Sequence, residues 1–291
     1  MVTLLHASDL HFGPPYVPAV GEALLRAAHE LRPDAIVVSG DFTQRAKPEQ
    51  FRAARAYLDR LPSVPIICTP GNHDVPLYRV WERLTRPYQL YREHIDQRLD
   101  HVTVLPGAIV VALASTAPWC AITNGRLRRR QLDYAAQAFG NAPPETQRVL
   151  VIHHHLAPPP DFEGGRALPG ARRVLDALAA MKVDLVLAGH MHRAYIGSSL
   201  DVYSGALREH NIVLVQCGTS TSRRGRARER EKNTFNLVRL DERRIRVTHY
   251  MYFDTVGRFL PLSHHMFYRG GRPPLENAEL DEVVYRMTET R

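Results

Sequence analysis

Cysteine is scarce in this chain, with three residues among 291, at positions 68, 120 and 217. An odd number of widely spaced thiols makes neither a disulfide framework nor a CxxC zinc pair, so reduced thiols in a cytoplasmic protein are expected. Long apolar runs are missing too. No stretch approaches the eighteen uninterrupted apolar residues that would suggest a membrane helix, and MVTLLHASDLH lacks the basic and apolar segments of a signal peptide. Acidic residues are the minority, 30 against 38 Lys and Arg, for a formal net charge of +8. That balance favours anionic partners without choosing among nucleotides, nucleic acid and acidic headgroups. The basic excess is concentrated at Arg126 to Arg130 and at Arg223 to Lys232. The second run is interleaved with Glu229 and Glu231 and reads as a solvated loop.

What is present is enough apolar residue, 44% of the chain, for a substantial core. Apolar runs of strand length alternate with helical periodicity. Val2 to Ala7, Ala35 to Ser39 and Val64 to Thr69 read as strands; helices are predicted over Pro18 to Leu31 and from Pro48. Prolines at those two helix starts suit a first position whose N–H has no partner. Residues 76–100 read as a mostly helical excursion. Val102 to Leu105 and Ile109 to Leu113 form a hairpin around Pro106-Gly107, and further strands are predicted at Val149 to Ile152, Leu185 to Ala188, Ile212 to Gln216, Phe235 to Leu240 and Ile245 to Tyr252. Repeated strand–helix–strand units imply largely parallel pairing. One α/β domain over 1–250 is expected, with an extension, 251–291, that wraps the domain or makes a homodimer contact.

Metal-binding side chains recur where predicted strands end: Asp9 and His11 in SDLH, Asp41 in SGDF, Asn72, His73 and Asp74 in PGNHD, and His190 and His192 in AGHMH. The triplet His153, His154 and His155 follows another apolar run. In open α/β sheets ligand sites gather at the carboxyl ends of strands, so distant segments converge on one pocket. Mixed Asp, Asn and His donors without cysteine suit Zn²⁺, Mn²⁺ or iron. Asp-x-His and Gly-Asp alone are ordinary turn chemistry; the weight comes from five such motifs in order.

The set resembles the calcineurin-like metallophosphoesterase superfamily, whose signature runs DxH, GD, GNH(D), a lone His after a strand, and GHxH. The match covers residues 2 to about 240. Within it, GDFTQRAKPEQF, VPIICTPGNHDVP, CGTSTSRRGRARERE and KNTFNLVRL are most similar to the bacterial cyclic-nucleotide phosphodiesterase branch. The resemblance implies a four-layer α/β/β/α sandwich of two mixed sheets flanked by helices, with a binuclear centre at strand C-terminal ends. It implies two divalent ions (Mn, Fe or Zn), bridged by Asp41. Asp9, His11 and His192 complete one site; Asn72, His190 and one histidine of the triplet complete the other. Leu156 stands where the family has proline, so the register is open between His154, which is favoured, and His153. Two such cations roughly 3.5–4 Å apart hold a hydroxide and neutralise phosphoryl oxygens. His73 is then the general acid, its ring oriented by Asp74. Arg45 and Arg193 are candidates for the substrate phosphate, and the loop at Asn124 and Gly125 is expected near the site.

The expected activity is hydrolysis of small phosphodiesters such as cyclic AMP. The alternatives are a UDP-diacylglucosamine-type pyrophosphohydrolase with an acyl groove at 76–100, a nuclease, or a metal-free binding scaffold. Nucleic acid is the less favoured partner, because the two basic runs lack interleaved aromatics.

Overall fold

Side chains of a strand point alternately to opposite faces, and in this protein each face has its own core. In β1 (Val2–Ala7) Val2 and Leu4 are buried in one cluster, Leu5 and Ala7 in another. The computed structural model describes residues 1–119, 123–157, 166–202, 210–225, 230 and 232–270. Cys120, the middle of the proline-rich loop, much of the second basic run and residues 271–291 of the expected extension lie outside the described residues.

After β1 come α1 (Pro18–Leu31), β2 (Ala35–Val38), α2 (Pro48–Leu58) and β3 (Ile66–Cys68). Two short helices follow, α3 (Val80–Thr85) and α4 (Gln89–His94), then the hairpin of β4 (His101–Leu105) and β5 (Ala108–Ala112). The second half holds α5 (Arg129–Gly140), β6 (Gln147–Val151), α6 (Ala171–Ala180), β7 (Leu185–Ala188), β8 (Tyr195–Ser198), α7 (Ser199–Val202) and β9 (Val213–Gln216). It closes with β10 (Thr234–Leu240), β11 (Arg244–Phe253) and β12 (Arg258–Tyr268).

The strands make two six-stranded mixed sheets, ordered β12-β11-β10-β1-β2-β3 and β4-β5-β6-β7-β9-β8. Strands β1, β2 and β3 run parallel, as do β5, β6, β7 and β9. Val2, Leu4, Val37, Val110, Val149 and Leu187 are among the residues that fill the space between the sheets. On the outer faces, α1 and α2 cover the first sheet through Leu24, Leu25, Phe51 and Leu58, while Phe139, Val174 and Leu178 of α5 and α6 cover the second. Each such side chain contributes about 1.5–3 kcal/mol on leaving water, which sets the apolar stripes of these helices against the sheets. The four-layer α/β/β/α sandwich is as expected.

Parallel strands end on the same side, so the segments after β1, β2, β3, β6 and β7 meet there. These segments carry the motif residues. Three features depart from the sequence reading. The 76–100 excursion contains only two six-residue helices, and α3 buries no residue. β8, α7 and β12 were not foreseen. The boundary expected at residue 250 falls inside β11, and β12 pairs with β11 from Arg258 to Tyr268.

Candidate metal centre

Five candidate donors stand on left-handed backbone: Asp9 (φ 54°), His11 (51°), Asp41 (56°), His190 (75°) and His192 (52°). That conformation costs an L-residue roughly 1–2 kcal/mol. It turns each chain sharply as it leaves its strand, so the side chains point across the strand ends instead of alternating past them. Two motif glycines allow the approach. A Cβ on Gly71 would collide with the Asp41 carboxylate, and one on Gly189 with Ser8 and the Asp9 carboxylate.

Each carboxylate has one oxygen pinned and the other left over. Asp9 Oδ2 accepts from the Ser8 hydroxyl (2.6 Å) and the His190 backbone N–H (3.0 Å). Asp41 Oδ1 accepts from the His73 backbone N–H (2.7 Å). Asp9 Oδ1 and Asp41 Oδ2 are buried with no hydrogen-bond partner among the described residues. Asp9 Oδ1 lies 3.0 Å from His192 Nε2 and 3.6 Å from His11 Nε2. Asp41 Oδ2 lies between two groups, 3.7 Å from His11 Nε2 and 3.5 Å from His153 Nε2. His153 Nε2 in turn is 3.0 Å from Asn72 Oδ1, which is 2.9 Å from His190 Nδ1.

The imidazole protons can be assigned from their fixed partners. A carbonyl oxygen only accepts, so His153 Nδ1 donates to Ser39 (2.8 Å) and His192 Nδ1 donates to Arg224 (2.8 Å). With those protons on Nδ1, the metal-ready form of each ring turns an Nε2 lone pair towards carboxylate and amide oxygens. Acceptor facing acceptor in a buried site is stable only with positive charge between them. Asp9, His11, Asp41 and His192 offer ligand atoms within 4.8 Å of one another, and Asp41, Asn72, His153 and His190 form a second group sharing Asp41. This donor set fits a pair of divalent cations, with the backbone carbonyls fixing ring orientation as carboxylates and carbonyls do around bound metals.

Burial pushes His11 and His190 well below the ordinary imidazole range, which leaves neutral rings suited to metal. It lowers His153 too, but the Asp41 and Asp9 carboxylates outweigh it and hold that ring above the ordinary imidazole value. Burial would raise Asp9, but His192 and His11 outweigh it and hold the carboxyl well below its usual range. Asp41 is pushed up to about 6 by burial, with Asp9 adding repulsion.

Three assignments made from sequence change here. His153, not His154, reaches Asp41 and Asn72. His154 instead holds Ser115 Oγ (2.8 Å from Nδ1) and packs its ring on His190, with centroids 4.6 Å apart. Asp74 does not orient His73. Its carboxylate accepts the backbone N–H groups of Gly71, Phe42 and Thr43, and so fixes the turn. The His73 ring is oriented by the Gln44 carbonyl, 2.8 Å from Nδ1, which leaves Nε2 for the cavity. Arg193 is buried and lies outside the cavity lining; Arg45 lines it, joined by Arg224 from the start of the second basic run, where a solvated loop is expected from sequence. The only cue to Arg224 was its nearness to CGTSTS. Thr123 reaches the cavity, and Gly125 packs against His154, so the expected loop does come to the site.

The cavity over these donors holds about 270 Å³, walled by Gln44, Arg45, His73, Leu77, Thr123 and Arg224. A larger one of about 930 Å³ opens at the opposite end of the second sheet and carries none of the donors. Chemistry, not size, identifies the site.

Residues 2–194 match the family model described as calcineurin-like phosphoesterase. The chain belongs to the calcineurin-like phosphoesterase family. The family is one of metal-dependent phosphoesterases, a class of hydrolases. It is 29% identical over 205 residues to a probable cyclic nucleotide phosphodiesterase of Rhodococcus erythropolis, covering 65% of this chain and 64% of that protein. The chain therefore aligns with less than two thirds of that relative's length. A cAMP/cGMP dual specificity phosphodiesterase of Mycobacterium tuberculosis is 25% identical over 235 residues, covering 74% of this chain and 71% of its own length. Among solved structures, a purple acid phosphatase from yellow lupin superposes with a TM-score of 0.67 at 12% identity, over 92% of this chain and 54% of that one. A dimetal phosphatase from Danio rerio gives 0.60 at 13% identity, over 92% and 99%. At such identities the structural likeness concerns the fold alone.

Proposed function

We propose that this protein hydrolyses a phosphodiester bond of small nucleotides, with 3',5'-cyclic AMP the leading substrate, in the cytoplasm. The observation that carries the reading is Asp41 Oδ2, buried without a hydrogen-bond partner and directed at two donor groups at once. Asp9, His11, Asp41 and His192 would hold one divalent ion, and Asp41, Asn72, His153 and His190 the other. Manganese, iron and zinc all suit this nitrogen–oxygen set. When bound, the two ions would neutralise phosphoryl oxygens and activate the attacking water.

The chain's own groups divide the remaining work. Arg45 and Arg224 bring positive charge to the cavity wall and can grip non-bridging phosphate oxygens through paired N–H groups. His73, its Nδ1 proton held by Gln44, faces the cavity through Nε2. Burial, with the Arg224 charge adding to it, pushes the ring down to about 4, so its neutral form carries only a lone pair at Nε2. As general acid His73 would first take a proton at Nε2, a form that a bound phosphate's negative charge favours, and then pass it to the leaving oxygen. Substrate choice is supported by the two phosphodiesterase relatives. The test is a screen of purified full-length protein reloaded with Mn²⁺ against cyclic nucleotides, nucleotide sugars and single-stranded DNA. Cyclic AMP is expected to be turned over fastest; cleavage confined to nucleotide sugars or to DNA would replace the reading with another.

A further inference from the structure

A large aromatic residue is left in water at the rim of the metal cavity. Tyr78 is 70% exposed, yet one face of its ring has a partner. The Arg45 guanidinium lies over its ring, 4.7 Å from the centroid. Arg79 ties the same segment to the turn below, donating from Nη2 to the Ala46 carbonyl at 2.8 Å and from Nη1 to the Arg45 carbonyl at 3.4 Å. Arg45 is fixed at its backbone as well, where its N–H donates to Gln50 Oε1 at 2.8 Å. The ring thus has a cation on one face, on a segment that Arg79 anchors to the carbonyls of Arg45 and Ala46, with α3 beyond it burying no residue. An exposed tyrosine without a partner would gain nothing from being clamped.

Arg45 is the link to the chemistry. It lines the cavity together with Asp41, Asn72 and His73, while its flat face rests on Tyr78. Stacking uses the face of a guanidinium and leaves the donors in its plane, so Arg45 can take a phosphate oxygen while it carries an aromatic ring. The wall between is apolar, formed by Val75 and Leu77. A ligand whose phosphate sits over the donors and whose flat ring lies beyond that wall matches this sequence of surfaces. Arg79, Arg83 and Arg86 share the segment with the exposed Tyr78 and Trp81, a mixture of cation and aromatic that nucleotide-binding surfaces use.

We propose that Tyr78, held on Arg45 and clamped by Arg79, is the nucleobase platform of this site, stacking a purine or pyrimidine outside the cavity that takes the phosphodiester. This rests on the phosphodiesterase reading of the centre and adds to it the element that distinguishes a nucleotide from a base-free phosphate. The lack of hydrogen-bonding groups on the ring face predicts tolerance among bases. Specificity here is for having a base at all.

The test uses the full chain reconstituted with Mn²⁺ and the variants Tyr78→Ala, Tyr78→Phe and Tyr78→Trp. With 70% of Tyr78 in solvent, all three are expected to keep the parent melting temperature. Binding of AMP and of ribose 5-phosphate is measured by equilibrium dialysis, and kcat and KM are measured for cyclic AMP. Base stacking accounts for about ten- to a hundredfold in affinity. The ratio of AMP to ribose 5-phosphate affinity should fall by that factor in Tyr78→Ala and be kept by Phe and Trp, while KM for cyclic AMP rises and kcat stays within about threefold. Equal weakening of both ligands would mean that Tyr78 acts only through Arg45 on the phosphate, and would overturn the platform. So would an unchanged ratio, or a Phe variant as poor as Ala. Loss of binding to anionic phospholipid vesicles with AMP binding intact would assign Tyr78 to a membrane surface instead. If cyclic AMP is not hydrolysed but the AMP ratio collapses in Tyr78→Ala, the proposed substrate falls and the platform stands.

Discussion

The two ends of the sandwich arrange their charged side chains in opposite ways. Opposite the metal centre, Arg269 donates from Nε to Asp184 Oδ1 (3.0 Å) and from its Nη atoms to the carbonyls of Glu145, Pro144 and Thr146. Donor meets acceptor, and the last strand is tied to the base of the second sheet. At the metal end acceptor meets acceptor. Backbone strain follows the same division. Of eight non-glycine residues with positive φ among the described ones, five carry candidate ligands, and only Lys182 borders the large cavity at the other end. Strained ligand turns and facing acceptors set the metal end apart; partnerless buried polar atoms alone do not, since Gln147 Oε1 and Arg148 Nε lie at the far end.

Removing Asp41 should break this contrast most severely. Asp41→Ala is expected to abolish hydrolysis and most binuclear occupancy, because no other described side chain reaches both groups. Metal analysis showing two ions at parent affinity would contradict the bridge. The apo variant should melt close to the apo parent, since relief of the unpaired Oδ2, roughly 1–3 kcal/mol, is offset by the His73 N–H losing Oδ1.

The next effect is on rate alone. His73→Ala should slow turnover by about 10²–10⁴-fold with both metals retained, and by less on nitrophenyl diesters, whose leaving groups need no proton. Equal slowing on activated and unactivated diesters would remove His73 from the acid role.

The histidine triplet sharpens the comparison at a single site. His154→Ala, behind His190, should weaken metal binding by about 10–100-fold, and His153→Ala by more. Titration with Mn²⁺ followed calorimetrically would show the order, and the reverse order would restore His154 as the ligand.

At the far end the expected change in turnover is smallest. Arg269→Ala should cost about 3 kcal/mol of stability, because it leaves the buried Asp184 carboxylate without its cation. Denaturant unfolding would read that loss while metal content and kcat stay at the parent values. A fall in kcat would mean that the two ends are not independent.

Most of this was legible from the chain. Turn glycines, ligand-type residues and preceding apolar runs lie within a few residues of one another, so Asp9, His11, Asp41, Asn72, His190 and His192 could be named together. Directions were not legible. His153 and His154 are neighbours whose rings diverge, and only the position of Ser39 and Ser115 tells which faces inward. Arg193 follows the GHMH motif directly yet turns into the protein, whereas Arg224 arrives from a segment thirty residues on through its carbonyl bond to His192. Nor does the sequence advertise β12. As an edge strand over thinly covered ground it exposes Leu260, Leu262 and Met266, so no clean alternation marks it.

The register of the first sheet also fixes an order of events in synthesis. Val2 pairs with Leu240 and His6 with Asn236, so one flank of β1 stays unpaired until residue 240 has been made. At about 5–20 residues per second, that is an interval of roughly ten to fifty seconds. Asp9 and His11 follow directly on that strand. A chain stalled before β10 would already hold every candidate ligand from Asp9 to His192, yet would present the ribosome's surroundings with an open apolar flank of the strand that carries the first two.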